Sequence, residues 1–588
     1  MRRLILILLL ATGAFAAEND LSVAWIARTP RVDYVWNSSN PTVEGWPAAG
    51  ADVQWVANVR WLGTGPLHGV GYRWFIDGDV VKSGTLDFAP QSLVQTALPW
   101  TWTSTRHEIA FEINPDKSVA ETNPRNNRLL VYSNALGVGI YVERTFWNAI
   151  GPQLEEADMG VTTFDDWMQR LARRFNEAAR YALYSDTPNG VNDRWRIDEI
   201  HLVEDGALPL TAPYAEARDW GAPATSLATL YPNVADHTVD MQWGFPASSV
   251  SFFPEHTPWI FLIGNSLVHE WSHARTMIDS YAWNISTDTD QLKMSAPPVP
   301  KPLTNVIYAS HDQGMMQYNW GRIDPFTAAA MNLMTGRRAI RGNYNEPWDL
   351  GWFLDDLPAT NRIHLIRTDG SPIANQHVSV YMPQPITTAS SYGMSYSDPP
   401  TLTLTSDADG VVTLARTSFP SHISANVDRS NGTAVLKIND GAIQRWAYVE
   451  SLDLNMAYWR GDHDATDLTL TADAPVCFDQ LGPSLVLPLP EASVTTADVT
   501  FQFPNTPGNH YDLLWAVDGR DPVTVTIPPL PGKKNTAITT VLTLPPGRIV
   551  WWFVDHDAPL TCPLIHSAIY SFDHDAGESL PRRRAVHH

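Results

Sequence analysis

HEWSHARTMID, residues 269–279, sets two histidines around a glutamate and follows the second histidine, six positions on, with an aspartate. On an α-helix, residues four apart share a face, so His269 and His273 can turn two imidazoles toward one ion. Zinc (Zn2+) favours such neutral nitrogen ligands. Glu270 lies one step round the helix, where it reaches a zinc-bound water rather than the zinc. It takes the water's proton as hydroxide attacks a carbonyl, then passes it to the leaving amine. The plain alternative is a helix whose histidines face solvent or bond locally. Thr257-Pro258 reads as an N-cap followed by proline at the first helical position. From there the apolar series Leu267, Val268, Trp271, Ala274, Ile278 and Tyr281 keeps helical rhythm through the motif to Trp283.

Upstream, TTFDDWMQRLARRFNEAARYAL (162–183) also has helical spacing, with Thr163 and Asp166 as a capping box. RWRIDEIHLVED (194–205) and TVDMQWGF (238–245) read as strands. Residues 139–357 therefore read as an α+β domain. On either side the pattern changes to alternation: VQWVANVRWLG (53–63), YRWFIDGDVVKSG (72–84) around Asp77-Gly78, and HEIAFEIN (107–114) on the N-terminal side. Beyond 358, hairpin-like stretches (366–383 and 402–416) and strands within 475–577 predict two more β-sandwiches, spanning 358–474 and 475–577, the second weakly fibronectin-III-like. Residues 578–588 read as a tail. The loop Asp407-Ala408-Asp409-Gly410 is expected to be a turn rather than a calcium loop. Asp-His-Asp recurs at 462–464, 555–557 and 573–575 and reads as polar loop ends.

The chain's 588 residues are too many for one core. A net charge of −23 argues against nucleic acid and anionic membranes. Residues 1–17, with two arginines, an apolar run from Leu4 and Ala14-Phe15-Ala16, read as a secretory signal peptide too short to span a bilayer. No second run is long enough to cross, which implies an extracellular protein. Cys477 and Cys562 are the only cysteines, and in an exported domain such a pair reads as a disulfide, with two separate buried thiols as the alternative.

Two resemblances follow. DKSVAETNPRNNRLLVYS (116–133) resembles the acidic, asparagine-rich ending of bacterial cell-adhesion-related immunoglobulin-like (CARDB) domains, which implies a β-sandwich spacer or binding module over 18–138. HEWSH matches the fixed residues of the zincin metallopeptidases. Asp279 stands where metzincins place a third ligand, and an aspartate there resembles the snapalysin-type members. HDQGMMQYNWG (311–321) resembles their methionine turn. That resemblance implies Met316 as the hydrophobic floor beneath the metal and Tyr318 as the oxyanion donor. A buried methionine and a core tyrosine are the plain readings of those two.

The departure is Thr276, which occupies the position where metzincins place a glycine to end the helix. If the helix ran on straight, Asp279 would lie about 120° round from His273 and could not share its ion. Either the chain bends after about Arg275, or the third ligand is Asp312, His311 or Glu346 and Asp279 merely pairs with Arg275. The expectation is a secreted zinc endopeptidase acting on protein or peptide substrates, with β-sandwiches that can address a cell surface or polysaccharide. The competing expectation is an adhesin or glycan-binding protein with a structural or degenerate zinc domain.

Overall fold

The computed structural model describes residues 19–30, 47–156, 161, 163–208, 215–216, 241–249, 267–269, 271–272, 275, 277, 280–283, 285–286, 307–308, 310, 314–318, 321–335, 352–385, 394–396, 399–419, 432–474, 486–488, 492–504, 508–529, 537–557 and 565–575. Residues 1–17, Cys477 and Cys562 lie outside them. Among the described residues no helix is long and apolar enough to cross a membrane.

The N-terminal unit is a β-sandwich. Strands β1 (Leu21–Thr29), β2 (Asp52–Trp61) and β5 (Leu93–Thr101) form one sheet in the order β1-β2-β5. Strands β3 (Leu67–Ile76), β4 (Asp79–Phe88), β6 (Glu108–Ile113) and β7 (Arg128–Tyr132) form the other, ordered β4-β3-β6-β7. The alternation in β2 buries Val53, Trp55, Ala57, Val59 and Trp61 against the facing sheet. At the β3–β4 turn, Asp77 and Gly78 both take positive φ, as a two-residue hairpin of this type requires. The asparagine-rich ending is a structural staple. Glu121 accepts from Asn127 Nδ2 (2.8 Å), Asn114 Nδ2 and the Leu21 amide (2.9 Å), tying the first strand to the last loop.

A mixed sheet follows. β8 (Leu136–Glu143) lies between β9 (Trp195–Val203) and β11 (Met241–Phe245), both parallel to it, and β10 (Ala215–Glu216) pairs antiparallel on the outer edge of β11. Parallel neighbours require crossovers, and helices α1 (Arg144–Glu156) and α2 (Phe164–Arg180) supply the one from β8 to β9. Both pack on the face carrying Val138, Ile140, Val142, Trp195, Trp243 and Phe245. Thr163 caps α2 by accepting the Asp166 amide at 3.1 Å. The Asp166 carboxylate accepts from Asn126 of the N-terminal sandwich.

The two C-terminal units are also β-sandwiches, with separate cores. In the first, Thr360–Ile366 pairs with Val411–Ala415 and Ala465–Thr471, facing a sheet that contains His377–Tyr381 and Thr433–Asp440. In the second, Gly547–Asp555 lies between Tyr511–Val517 and Tyr570–His574. The Asp407 loop is a turn: its carboxylate accepts the amides of Asp409 and Val411, each at 2.9 Å. Two of the triplets close strands: Asp555 ends Gly547–Asp555, and Asp573 and His574 end Tyr570–His574. His556 meets Asp512 at 2.7 Å, Asp557 accepts from His510, and His574 bonds the carbonyls of Pro545 and Thr496.

α2 is the hub of the molecule. At its start, Asp165 pairs with Arg60, and Asn126 Nδ2 donates to both Asp166 (2.9 Å) and Asp20 (2.8 Å). At its end, Glu177 accepts from Arg548 (2.8 Å) and Ser571 (2.8 Å) of the last sandwich. Burial at these seams moves carboxyls upward, Asp165 among them. Asp20 rises to about 8, chiefly by desolvation with Asp166 adding repulsion. Asp518 rises to about 6 by burial and by its neighbour Glu177. A carboxyl whose pKa is raised on folding gives stability that is present below its unfolded value of about 4 and is lost as pH rises through the folded value. Urea midpoints are therefore expected to fall between about pH 5 and about pH 8, and Asp20→Asn to flatten the upper part of that fall. A wild-type midpoint that rises over this range contradicts the assignment.

Candidate functional site

The motif lies against this core. Residues 267–269 and 271–272 are α-helical. Leu267, Val268 and Trp271 face inward, with the Trp271 ring 5.2 Å from Trp195 on β9 and 6.1 Å from Trp243 on β11. Ser272 Oγ donates back to the Val268 carbonyl at 2.9 Å, a bond that bends helices.

The helical rhythm read from the sequence does not continue to Trp283. Arg275 sits in a tighter 3-10 turn, Met277 lies outside any helix, and Ser280–Trp283 forms a separate 3-10 turn. Tertiary contacts supply a physical account of this ending without glycine. The Arg275 guanidinium is fully buried. Its Nε donates to Asp193 Oδ2 at 2.6 Å, and its Nη2 to the Met334 carbonyl. Farther on, the Trp283 indole donates to Ser451 Oγ (2.8 Å) and its carbonyl accepts from Thr433 (2.7 Å), so the next sandwich holds the second turn. Asp193 is thus one partner of Arg275, and Asp279 lies outside the described residues.

His269 is 5% exposed, and its Nδ1 lies 2.7 Å from the carbonyl oxygen of Met315. A carbonyl only accepts, so Nδ1 carries the hydrogen and the lone pair of the neutral ring falls on Nε2. This arrangement fits zinc. A ligating histidine usually donates its other N–H to a carbonyl or carboxylate, which sets both tautomer and ring angle. The methionine segment therefore lies beside His269. It forms one helical turn, Met315–Tyr318, with Met315 and Met316 buried in the core that holds Leu267, Val268 and Trp271. Before this turn, Gly314 packs closely on Asp324, where a Cβ would lie 2.0 Å from Oδ2.

The other proposed site positions, Glu270, His273, Asp279, His311, Asp312 and Glu346, and the Tyr318 side chain, lie outside the described residues. Among the described residues no group of three histidine, cysteine, aspartate or glutamate side chains gathers to hold a metal ion. Sequence reasoning missed the Met315 carbonyl and Asp193. Neither carries a local signal: one is a backbone group 46 residues from His269, the other an aspartate 82 residues from Arg275.

No family model and no curated protein matches the chain. Among solved structures it is similar to a CARDB domain from Pyrococcus furiosus in complex with di-metal ions, at 19% identity, over 20% of this chain and 92% of that one, with a TM-score of 0.16. A domain of a Methanosarcina acetivorans protein gives 19% identity over 20% of this chain and 90% of that one, at TM-score 0.15. A streptococcal ancillary pilin gives 12% identity over 34% of this chain and 54% of that one, at 0.11. At these scores the likeness extends to no activity. The N-terminal unit is, by its own two sheets, a β-sandwich.

Proposed function

We propose that this chain is an extracellular zinc-dependent endopeptidase of metzincin type, with His269, His273 and Asp279 as the metal ligands. One observation carries the reading: the His269 imidazole is buried and donates Nδ1–H to the methionine segment, the geometry that prepares Nε2 to ligate. The loss of helix by Met277 supports Asp279, because only a chain that bends after Arg275 can bring it back.

When bound, zinc lowers the pKa of a water toward neutrality and polarises the substrate carbonyl. The chain's own residues do the rest. Met315 O holds the His269 ring at a fixed angle. Glu270 accepts the proton released as the carbonyl is attacked and delivers it to the departing amine. Tyr318 donates a hydrogen bond to the oxygen that gains charge. Met316 closes the floor with a polarisable, apolar side chain. The β-sandwiches hold the catalytic domain at a cell surface or polysaccharide. The test is Glu270→Gln, which keeps zinc and loses cleavage. A glycan-array signal with no proteolysis from the wild type supports an adhesin instead.

A further inference from the structure

The last β-sandwich meets the catalytic core along a polar and apolar seam. Tyr181 from the end of α2 packs with Ala516, Val550, Trp552 and Ile569 of the sandwich. Arg548 and Ser571 clamp the buried Glu177, and Arg180 and Tyr181 donate to the carbonyls of Gly519 and Arg520. A detachable carbohydrate or surface module needs no such seam.

One bond of the seam leads to the motif. The Ile569 amide donates to the Gly321 carbonyl at 2.9 Å. The next carbonyl, that of Arg322, accepts the Met315 amide at 2.8 Å. The Met315 carbonyl in turn accepts from His269 Nδ1 at 2.7 Å. The residue after that, Ile323, has its carbonyl held by the Tyr184 hydroxyl at 2.7 Å. Ile569, Val268 and Met315 also line one small crevice together with Glu177. The Met315 carbonyl is thus held on a loop whose far side is an edge of the C-terminal sandwich.

We infer that the C-terminal β-sandwich is part of the catalytic unit. Ile569 is a positioning residue that sets the His269 imidazole through Gly321, Arg322 and Met315. The inference rests on the zinc reading of His269. Hydrogen bonds that orient a metal-bound histidine are worth about 10- to 100-fold in metal affinity or activity. Ile569 acts one loop further out, so about tenfold is the scale expected.

The experiment uses the full chain and compares Ile569→Pro, which deletes the N–H donor, with Ile569→Ala, which keeps it and removes packing. Ile569→Pro is expected to weaken zinc binding about tenfold in competition with a chelator. It is also expected to lower kcat about tenfold with KM changed less than about twofold. Ile569→Ala keeps the donor, so its zinc affinity is expected to fall less than that of Ile569→Pro. If Ile569→Pro fails to fold, Arg548→Lys takes its place. It keeps the charge but loses the guanidinium fork at Glu177 and Ser571, and a loss of about threefold in both readouts is expected. Folded variants with wild-type zinc affinity and kcat overturn the inference. A wild type that binds no zinc and cleaves no peptide overturns the zinc reading itself, and the inference with it.

Discussion

Glu270→Gln is expected to retain its zinc and to lose peptide cleavage by about 10³-fold, within the range that a positioned proton-transfer group supplies. Glutamine has the shape of glutamate and can still hydrogen-bond a water, but it cannot accept the proton that must leave as the carbonyl is attacked. In the proposed mechanism Glu270 acts in the transition state rather than in substrate binding, so the loss is expected on kcat, with KM little altered. Two assays separate the outcomes: zinc per chain by elemental analysis, and turnover of a quenched peptide. A variant that keeps wild-type turnover removes Glu270 from the mechanism. A variant that loses zinc and activity together points to a ligand or folding role.

Asp193→Ala is expected to be the most destabilising change outside the hydrophobic cores. Asp193 is 3% exposed and its partner Arg275 is fully buried, at 2.6 Å. The aspartate also sits among other cations. Arg194 is buried, and desolvation followed by the neighbouring Arg106 lowers its pKa to about 10. Removing this carboxylate takes a charged partner from a buried guanidinium, which costs about 3–5 kcal/mol. For a domain of this size that corresponds to a fall of about 10 °C in Tm. Because Arg275 anchors the end of the motif helix, zinc affinity should drop with stability. Asp193→Asn, which retains a hydrogen-bond acceptor, should fall between the two. An unchanged Tm for the alanine variant removes Asp193 as the cause of the helix ending.

These two residues also mark what the sequence makes legible. Glu270 belongs to a five-residue signature on a periodic helix, and such signals are local. The same holds for α2, where Thr163 and the spacing of Trp167, Leu171 and Phe175 identify the helix, and for β2, whose alternation maps directly onto its buried face. Asp193 is different. It lies in a loop before β9, and nothing in VNDRW signals that an arginine 82 residues later will reach it. The apolar rhythm through Ile278 and Tyr281 predicts a straight helix, and tertiary anchors on Arg275 and Trp283 override it. The helices Pro325–Leu333 and Ser451–Trp459 carry no comparable periodic signal. Each has nine residues, and both sit at domain seams that bury more than one face. The domain interfaces themselves depend on side chains such as Arg548 and Glu177, 371 residues apart, and no window of sequence contains such a pair.

The central claim is that His269 Nε2 holds a zinc ion at a peptidase site. It is tested most directly by zinc content after exhaustive dialysis, for wild type and His269→Ala side by side. The account predicts about one zinc per wild-type chain and a near-complete loss in the variant, with the circular-dichroism spectrum of the β-sandwiches unchanged. Wild-type protein that retains no zinc after reconstitution, or a folded His269→Ala variant that retains a full equivalent, contradicts it.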